Sequence, residues 1–141
     1  MRGLNKLYWL KIDIKNIEKE IAEIKAEIDG LATISSPQIT GMPHGTEVIN
    51  SLEKYYLKKE PLEEKLKQRL LLLEDKRIKC VEEKNRLEGI IEQIDIPVIK
   101  TMAKMRFIDN KSWEEIGEAT NYERTSCSKK LRKYLENMDI Q

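Results

Sequence analysis

The sequence predicts an all-α protein: a long antiparallel helical coiled-coil hairpin followed by a C-terminal three-helix helix-turn-helix bundle. Charged residues make up 36% of the 141 residues and aromatic residues only 6%, a composition typical of long solvated helices. Apolar residues recur in the first third at alternating spacings of three and four, which is a heptad pattern. Three short helical patterns separated by turn residues end the chain. The predicted domains are therefore 1–94 for the hairpin and 95–141 for the helix-turn-helix domain.

The first helix has one narrow apolar stripe. Its members are Leu7, Leu10, Ile14, Ile17, Ile21, Ile24, Ile28 and Leu31. A helix with a single stripe is not stable alone and needs a partner helix. Residues 32–45 contain two prolines, two glycines and a Ser-Ser pair, so they predict a loop. A second helix, running from there to Ile94, returns antiparallel to the first.

The second helix has a less regular stripe. Its predicted members are Leu62, Leu66, Leu70, Leu73, Arg77, Cys80, Lys84, Leu87, Ile91 and Ile94. Arg77 and Lys84 occupy positions where apolar residues are expected, and polar residues there can fix register or oligomeric state. Pro61 either kinks one helix or begins a new one after a short break at 58–60. Because no glycine or turn residue accompanies it, a kink or brief break is favoured over a loop.

The two helices differ in length. At about 1.5 Å per residue, the first helix covers the second only from residue 46 to about residue 75. The overhang, 76–94, must then pack on the C-terminal helices or on another copy of the chain.

The C-terminal part contains a helix-start signal and a cationic final helix. Ser112-Trp-Glu-Glu115 fits a capping box, which predicts a helix from Trp113 to about Thr120. A last helix begins near Glu123 or Arg124. Between Arg124 and Lys133 it has five cations and no acid. One side is apolar, and the other combines small hydroxyls with long cations, a combination that suits the major groove of DNA.

The run MRFIDNKSWEEIGEATNYERTSC, residues 105–127, resembles the pattern R-Y-x-x-G-x-S-x-x-E-I-A-x-x-L-G-x-S-x-x-T-V of region four of bacterial sigma factors. It resembles still more closely the sigma-like helix-turn-helix proteins of phages and prophages, such as the ArpU and RinA type late-gene regulators and related uncharacterised phage proteins. Spacing and resemblance together give a motif core of Ser112, Trp113, Ile116, Cys127 and Leu131. The expected DNA-binding residues are Arg124, Thr125, Ser126, Ser128, Lys129, Arg132 and Lys133.

Three residues depart from the family pattern. Gly117 stands where alanine is usual, and Asn121 replaces the turn glycine. Asparagine can fill that position because it tolerates the left-handed conformation. Glu123 replaces the usual serine or threonine cap and puts a negative charge near the DNA.

The function expected from the resemblance is that of a DNA-binding transcriptional regulator of phage or prophage genes, with double-stranded DNA as the partner. The coiled coil would join copies into a homodimer or higher oligomer, or would present a surface to RNA polymerase. One alternative is a DNA-packaging subunit like the small subunit of a phage terminase. Another is a coiled-coil protein-binding module that acts on a host factor and keeps a degenerate helix-turn-helix motif. Independently of these, Arg124–Lys133 can be interpreted as an ordinary cationic C-terminal helix whose charges suit the helix dipole.

Other functional classes have little support in the sequence. Cys80 and Cys127 lie far apart, and His44 is the only histidine, which argues against a zinc site or a disulfide framework. No constellation of nucleophile and base or glycine-rich phosphate loop is present, so we expect neither an enzyme nor a cofactor. No membrane span or signal segment is recognisable, and we expect a cytoplasmic protein.

Overall fold

The computed structural model describes residues 3–35 and 45–138, with side chains for 3–31 and 51–138. Every regular element in these ranges is helical, which confirms the predicted all-α class. The helices are α1 Lys6–Ser35, α2 Gly45–Glu92, α3 Pro97–Ala103, α4 Trp113–Thr120 and α5 Arg124–Asn137. A wider π-helical turn, Lys104–Ile108, continues α3. Among the described residues, no helix combines the length and the apolar character that crossing a membrane requires.

The chain divides into two compact units. The first combines Met1–Asp13 with Lys76–Gln141, and the second is Ile14–Asp75. The domain boundary between residues 94 and 95 stays a prediction.

The ends of the predicted loop, 32–45, are helical. α1 continues to Ser35 and α2 begins at Gly45. No glycine or proline separates Leu31 from the Ser-Ser-Pro sequence at 35–37, so α1 can continue to that point. The remainder of the loop, including His44, lies outside the described residues.

The predicted stripe of α1 is confirmed. Its eight members are the buried or half-buried apolar side chains Leu7, Leu10, Ile14, Ile17, Ile21, Ile24, Ile28 and Leu31. In the second unit this stripe meets α2 in an antiparallel arrangement. The Glu20 carboxylate lies 2.9 Å from the Arg69 guanidinium, and farther along α1, Leu31 borders the same cleft as Lys58.

The predicted stripe of α2 is wrong at three positions. Leu70, Arg77 and Lys84 are exposed. The side chains that face inward there belong to the residues one position earlier, Arg69, Lys76 and Glu83. Long cationic side chains can lay their apolar stems along a seam and keep their charged ends in water. Arg69 and Lys76 do this, and their charged ends reach carboxylates on α1.

Glu83 is the one charged residue among the described side chains that is buried. Arg86 donates to both of its carboxylate oxygens, the shortest bond being 2.6 Å from Nη2 to Oε1. The same Nη2 donates to the Gly3 carbonyl oxygen at 2.7 Å. The hydrogen bonds to Glu83 raise the pKa of Arg86 above its ordinary value. A buried carboxylate is therefore compensated by a fully charged partner.

The predicted packing of the α2 overhang, 76–94, on the C-terminal helices is confirmed, since Leu87, Ile91 and Ile94 share a buried core with them. The prediction that α1 does not reach the overhang is wrong. In the first unit, Lys76 pairs with Asp13 at 3.5 Å, and Arg86 reaches Gly3. The start of α1 therefore accompanies α2 across these residues. α1 reaches farther along α2 than its length suggested, because the end of α1 does not align with the start of α2: Leu31 lies near Lys58.

Pro61 lies inside α2, which continues from Gly45 to Glu92. The predicted alternative of a break at 58–60 is therefore wrong. Proline has no amide hydrogen, so the Leu57 carbonyl oxygen lacks its usual helical donor.

The helix-turn-helix helices share a core with both long helices. Its largest fully buried side chains are Leu7, Leu87, Met102, Ile116, Cys127 and Leu131. Two polar contacts strengthen this assembly. Lys11 Nζ donates to the Ile108 carbonyl oxygen at 2.7 Å, and the Asp95 amide donates to the Tyr134 hydroxyl at 3.2 Å.

Gly117 permits a close approach between α4 and the turn that follows it. A Cβ atom at this position would lie 2.6 Å from the Tyr122 carbonyl oxygen and 3.4 Å from the Arg124 nitrogen. Backbone atoms cannot rotate away as a flexible side chain can. The departure from the family alanine therefore has a steric reason.

We predict that Gly117→Ala lowers the free energy of unfolding by about 1–3 kcal/mol, because the turn must shift to relieve the overlap. Gly89→Ala in α2 is the matched control, since a Cβ there meets no atom within 4 Å. The control should stabilise the protein by about 0.5–1 kcal/mol through the higher helix propensity of alanine. Urea unfolding followed by circular dichroism measures the free energy of unfolding of both variants. Equal values for Gly117→Ala and Gly89→Ala would contradict the close approach at Gly117.

Candidate nucleic-acid interface

Local interactions at both ends of α4 define the helix-turn-helix. Ser112 caps the helix, its hydroxyl oxygen accepting a hydrogen bond from the Glu115 amide at 3.2 Å. At the other end Asn121 has φ +61° and ψ +32°, the left-handed conformation expected from the sequence. The Asn121 and Tyr122 amides both donate to the Gly117 carbonyl oxygen. These contacts stop α4 and redirect the chain into α5, which begins at Arg124.

The predicted motif core is brought together. Ile116, Cys127 and Leu131 are fully buried, and the Thr120 hydroxyl lies 3.6 Å from the Cys127 sulfur. Trp113 is half-buried, and the Arg106 guanidinium lies over its ring at 4.7 Å from the centroid. α5 is thus fixed by its apolar side against α4 and the core.

The opposite side of α5 faces solvent. Thr125, Lys129, Arg132 and Lys133 are all exposed, and their spacing of three and four residues places them on one side of a helix. Within the described part of the chain, these three cations have no ion pair. Their charges are therefore available to an anionic partner.

Three other predicted residues lie differently. Arg124 is exposed, but its Nη1 lies 3.1 Å from the Glu114 carboxylate of α4. Ser126 and Ser128 are half-buried at the borders of the solvent-facing side. The seven predicted residues thus include four on an open face, one in an ion pair and two at its edges.

Two acidic residues near the start of α5, Glu114 and Glu118, were not identified from the sequence. Glu114, Glu118 and Glu123 line one open groove of about 680 Å³ together with Arg124 and Thr125. The sequence places Glu123 near the expected DNA-binding residues. For Glu114 and Glu118, the only sequence signal was their spacing of four residues, which puts both on one side of a helix. An anionic ligand at the start of α5 must therefore compete with carboxylates for Arg124.

One more cation of α5 has a local partner. Lys130 Nζ lies over the Tyr122 ring at 4.1 Å from the centroid, a favourable cation–π contact. Lys130 therefore contacts the turn between α4 and α5 and is not part of the open cationic side of α5.

Metal chemistry has no support in this part of the molecule. No group of three or more histidine, cysteine, aspartate or glutamate side chains is arranged for a metal ion among the described residues. Cys127 is buried and Cys80 half-buried, each as a free thiol.

Comparisons with known proteins give no match to this chain, whether against protein-family models, curated proteins or solved structures.

Proposed function

We propose that this chain is a double-stranded DNA-binding protein whose α5 enters the major groove. The observation that supports this function best is the open side of α5, where Lys129, Arg132 and Lys133 lie beside Thr125 and form no ion pair with any of the described side chains. A single α-helix fits the major groove. Lysine and arginine neutralise phosphates and release counterions, and arginine can also pair with guanine edges.

α4 has the supporting role in this proposal. Its contacts with the turn at Asn121 and with the core fix the direction of α5, so that the cations are presented by a rigid element. Rigid presentation matters because base contacts depend on the register that phosphate contacts establish.

The resemblance of residues 105–127 to sigma-like phage and prophage regulators extends the proposal. It makes the chain a non-enzymatic, cytoplasmic regulator of transcription. In that role the paired long helices would join copies of the chain or contact RNA polymerase.

We predict that replacing Lys129 and Lys133 with alanine weakens duplex binding and flattens its dependence on salt. Removing one lysine that neutralises a phosphate should reduce the slope of log K against log salt concentration by about 1. Fluorescence anisotropy with a labelled duplex at several salt concentrations measures both effects.

The matched control for this variant is Lys65→Ala with Lys67→Ala on α2. Both control lysines are exposed, and their replacement removes the same charge from the protein as a whole. If α5 binds the duplex, the α5 variant has a lower affinity and a smaller slope of log K against log salt concentration, whereas the control keeps the wild-type values of both. Equal behaviour of the two variants would show that α5 is not the DNA-binding element.

The ion pair between Arg124 and Glu114 leads to a second prediction. Glu114→Gln releases the guanidinium and should increase DNA affinity by about twofold to fivefold beyond the effect of Glu118→Gln, because an exposed ion pair need no longer be broken. Glu118 is a fair control since it lines the same groove and has no ion pair within the described residues.

A double-mutant cycle isolates the contribution of the pair. In an Arg124→Ala background the advantage of Glu114→Gln over Glu118→Gln should disappear. If the advantage persists without Arg124, the carboxylate acts through general repulsion and not through the ion pair.

A further inference from the structure

Two large aromatic side chains on α1 are exposed beside the helix-turn-helix. Tyr8 is 45% and Trp9 is 61% exposed, although Leu7 and Leu10 on either side are buried. The two rings contact each other edge to face at 5.2 Å. The two rings together therefore present an aromatic surface to solvent.

The aromatic pair forms one wall of a cleft within the first unit. The cleft has a volume of about 370 Å³ and is lined by Asn5, Tyr8, Trp9, Arg106, Asn110 and Ser112. Each of the six side chains has an N–H or O–H group that can donate a hydrogen bond. None of them is an acid. This chemistry favours a ligand that is anionic and rich in hydrogen-bond acceptors.

Arg106 is held in place in this cleft. Its Nη1 donates to the Lys111 carbonyl oxygen at 3.1 Å, and its guanidinium lies over the Trp113 ring. The remaining guanidinium hydrogens have no partner among the described residues. A fixed guanidinium with free donors is well suited to a phosphate group, because it gives up less side-chain entropy on binding.

The cleft and the start of α5 both adjoin the first turn of α4. Ser112, which lines the cleft, caps α4. Two residues later Glu114 reaches Arg124 at the start of α5. The cleft therefore lies at the N-terminal end of α4, within two residues of the side chain that contacts the start of α5.

From this composition and position we infer that the Asn5–Trp9–Arg106 cleft binds the sugar-phosphate backbone of the same duplex that α5 reads. This inference rests on the proposed function and adds α1 to the DNA-binding surface. Tyrosine, asparagine, serine and arginine side chains and helix N-termini are common donors to DNA phosphates. The contact fixes the position of the protein on the duplex and does not read sequence.

The test introduces one negative charge into the cleft. Asn5→Asp suits the fold, since Asn5 immediately precedes α1 and aspartate is favoured at the start of a helix. The expected result is a loss of duplex affinity of about threefold to tenfold at low salt, which shrinks as salt screens the repulsion. Asn16→Asp, an exposed position on α1, adds the same charge elsewhere and should leave affinity within about twofold.

A second measurement uses tryptophan fluorescence and does not depend on a change of affinity. The chain has two tryptophans, and a duplex that occupies the cleft should alter the emission of Trp9. Wild-type protein should therefore show a change on titration with a duplex of about 20 base pairs, two helical turns, and Trp9→Phe should abolish most of it. Inorganic phosphate at the same phosphate concentration should produce little change, which separates the DNA backbone from a free anion.

The outcomes separate this inference from the function on which it rests. If Asn5→Asp binds like Asn16→Asp and Trp9→Phe keeps the fluorescence change, the cleft does not contact DNA. α5 remains the DNA-binding element in that case, provided that the Lys129 and Lys133 variant still loses binding. If wild-type protein does not bind duplex at all, both proposals are wrong, and the aromatic cleft is then better explained as a contact for a protein.

Discussion

The arrangement of the candidate DNA-binding surface depends on one apolar core, in which Leu7 of α1 and Leu87 of α2 meet Met102, Ile116 and Leu131. α4 has eight residues and α5 has fourteen, and helices this short are at best marginally stable in isolation. Burial in the shared core supplies the stability that local propensity cannot. The same burial decides which side of α5 is covered, and thereby which side faces solvent.

Elements with local signals were predictable from the sequence. The apolar stripe of α1, the cap at Ser112, the left-handed turn at Asn121 and the start of α5 all follow from residues within a few positions of one another. The pairing of α2 was not predictable in the same way. Arg69 and Lys76 have charged ends but long apolar stems that can pack between helices. A pattern that classes each residue as apolar or charged therefore selects the adjacent positions in their place. Glu83 is acceptable in the interior only because Arg86 compensates it, and such compensation has no distinct sequence signature.

In the candidate site, too, the features set by local sequence were predictable and those set by distant contacts were not. Helical spacing was enough to group Thr125, Lys129 and Arg132 on one side of α5. It could not show that Arg124 is paired with Glu114, ten positions away on another helix. Nor could it join Trp9 to Arg106, which are separated by most of the chain. These contacts modify the simple view of a cationic helix. Glu114 competes for a cation at the start of α5, and a cleft lined by hydrogen-bond donors lies at the N-terminal end of α4.

In the proposed function, α5 is held by the shared core and is the element that binds duplex DNA. A heteronuclear NMR titration of the isotope-labelled chain with a short duplex tests this most directly, because it reports on each backbone amide separately. If α5 binds the duplex, chemical shifts change progressively along Arg124–Lys133 and in the first turn of α4, at a stoichiometry set by the duplex. Saturating DNA that leaves the α5 amides unshifted, or shifts only amides of the second unit, would contradict it.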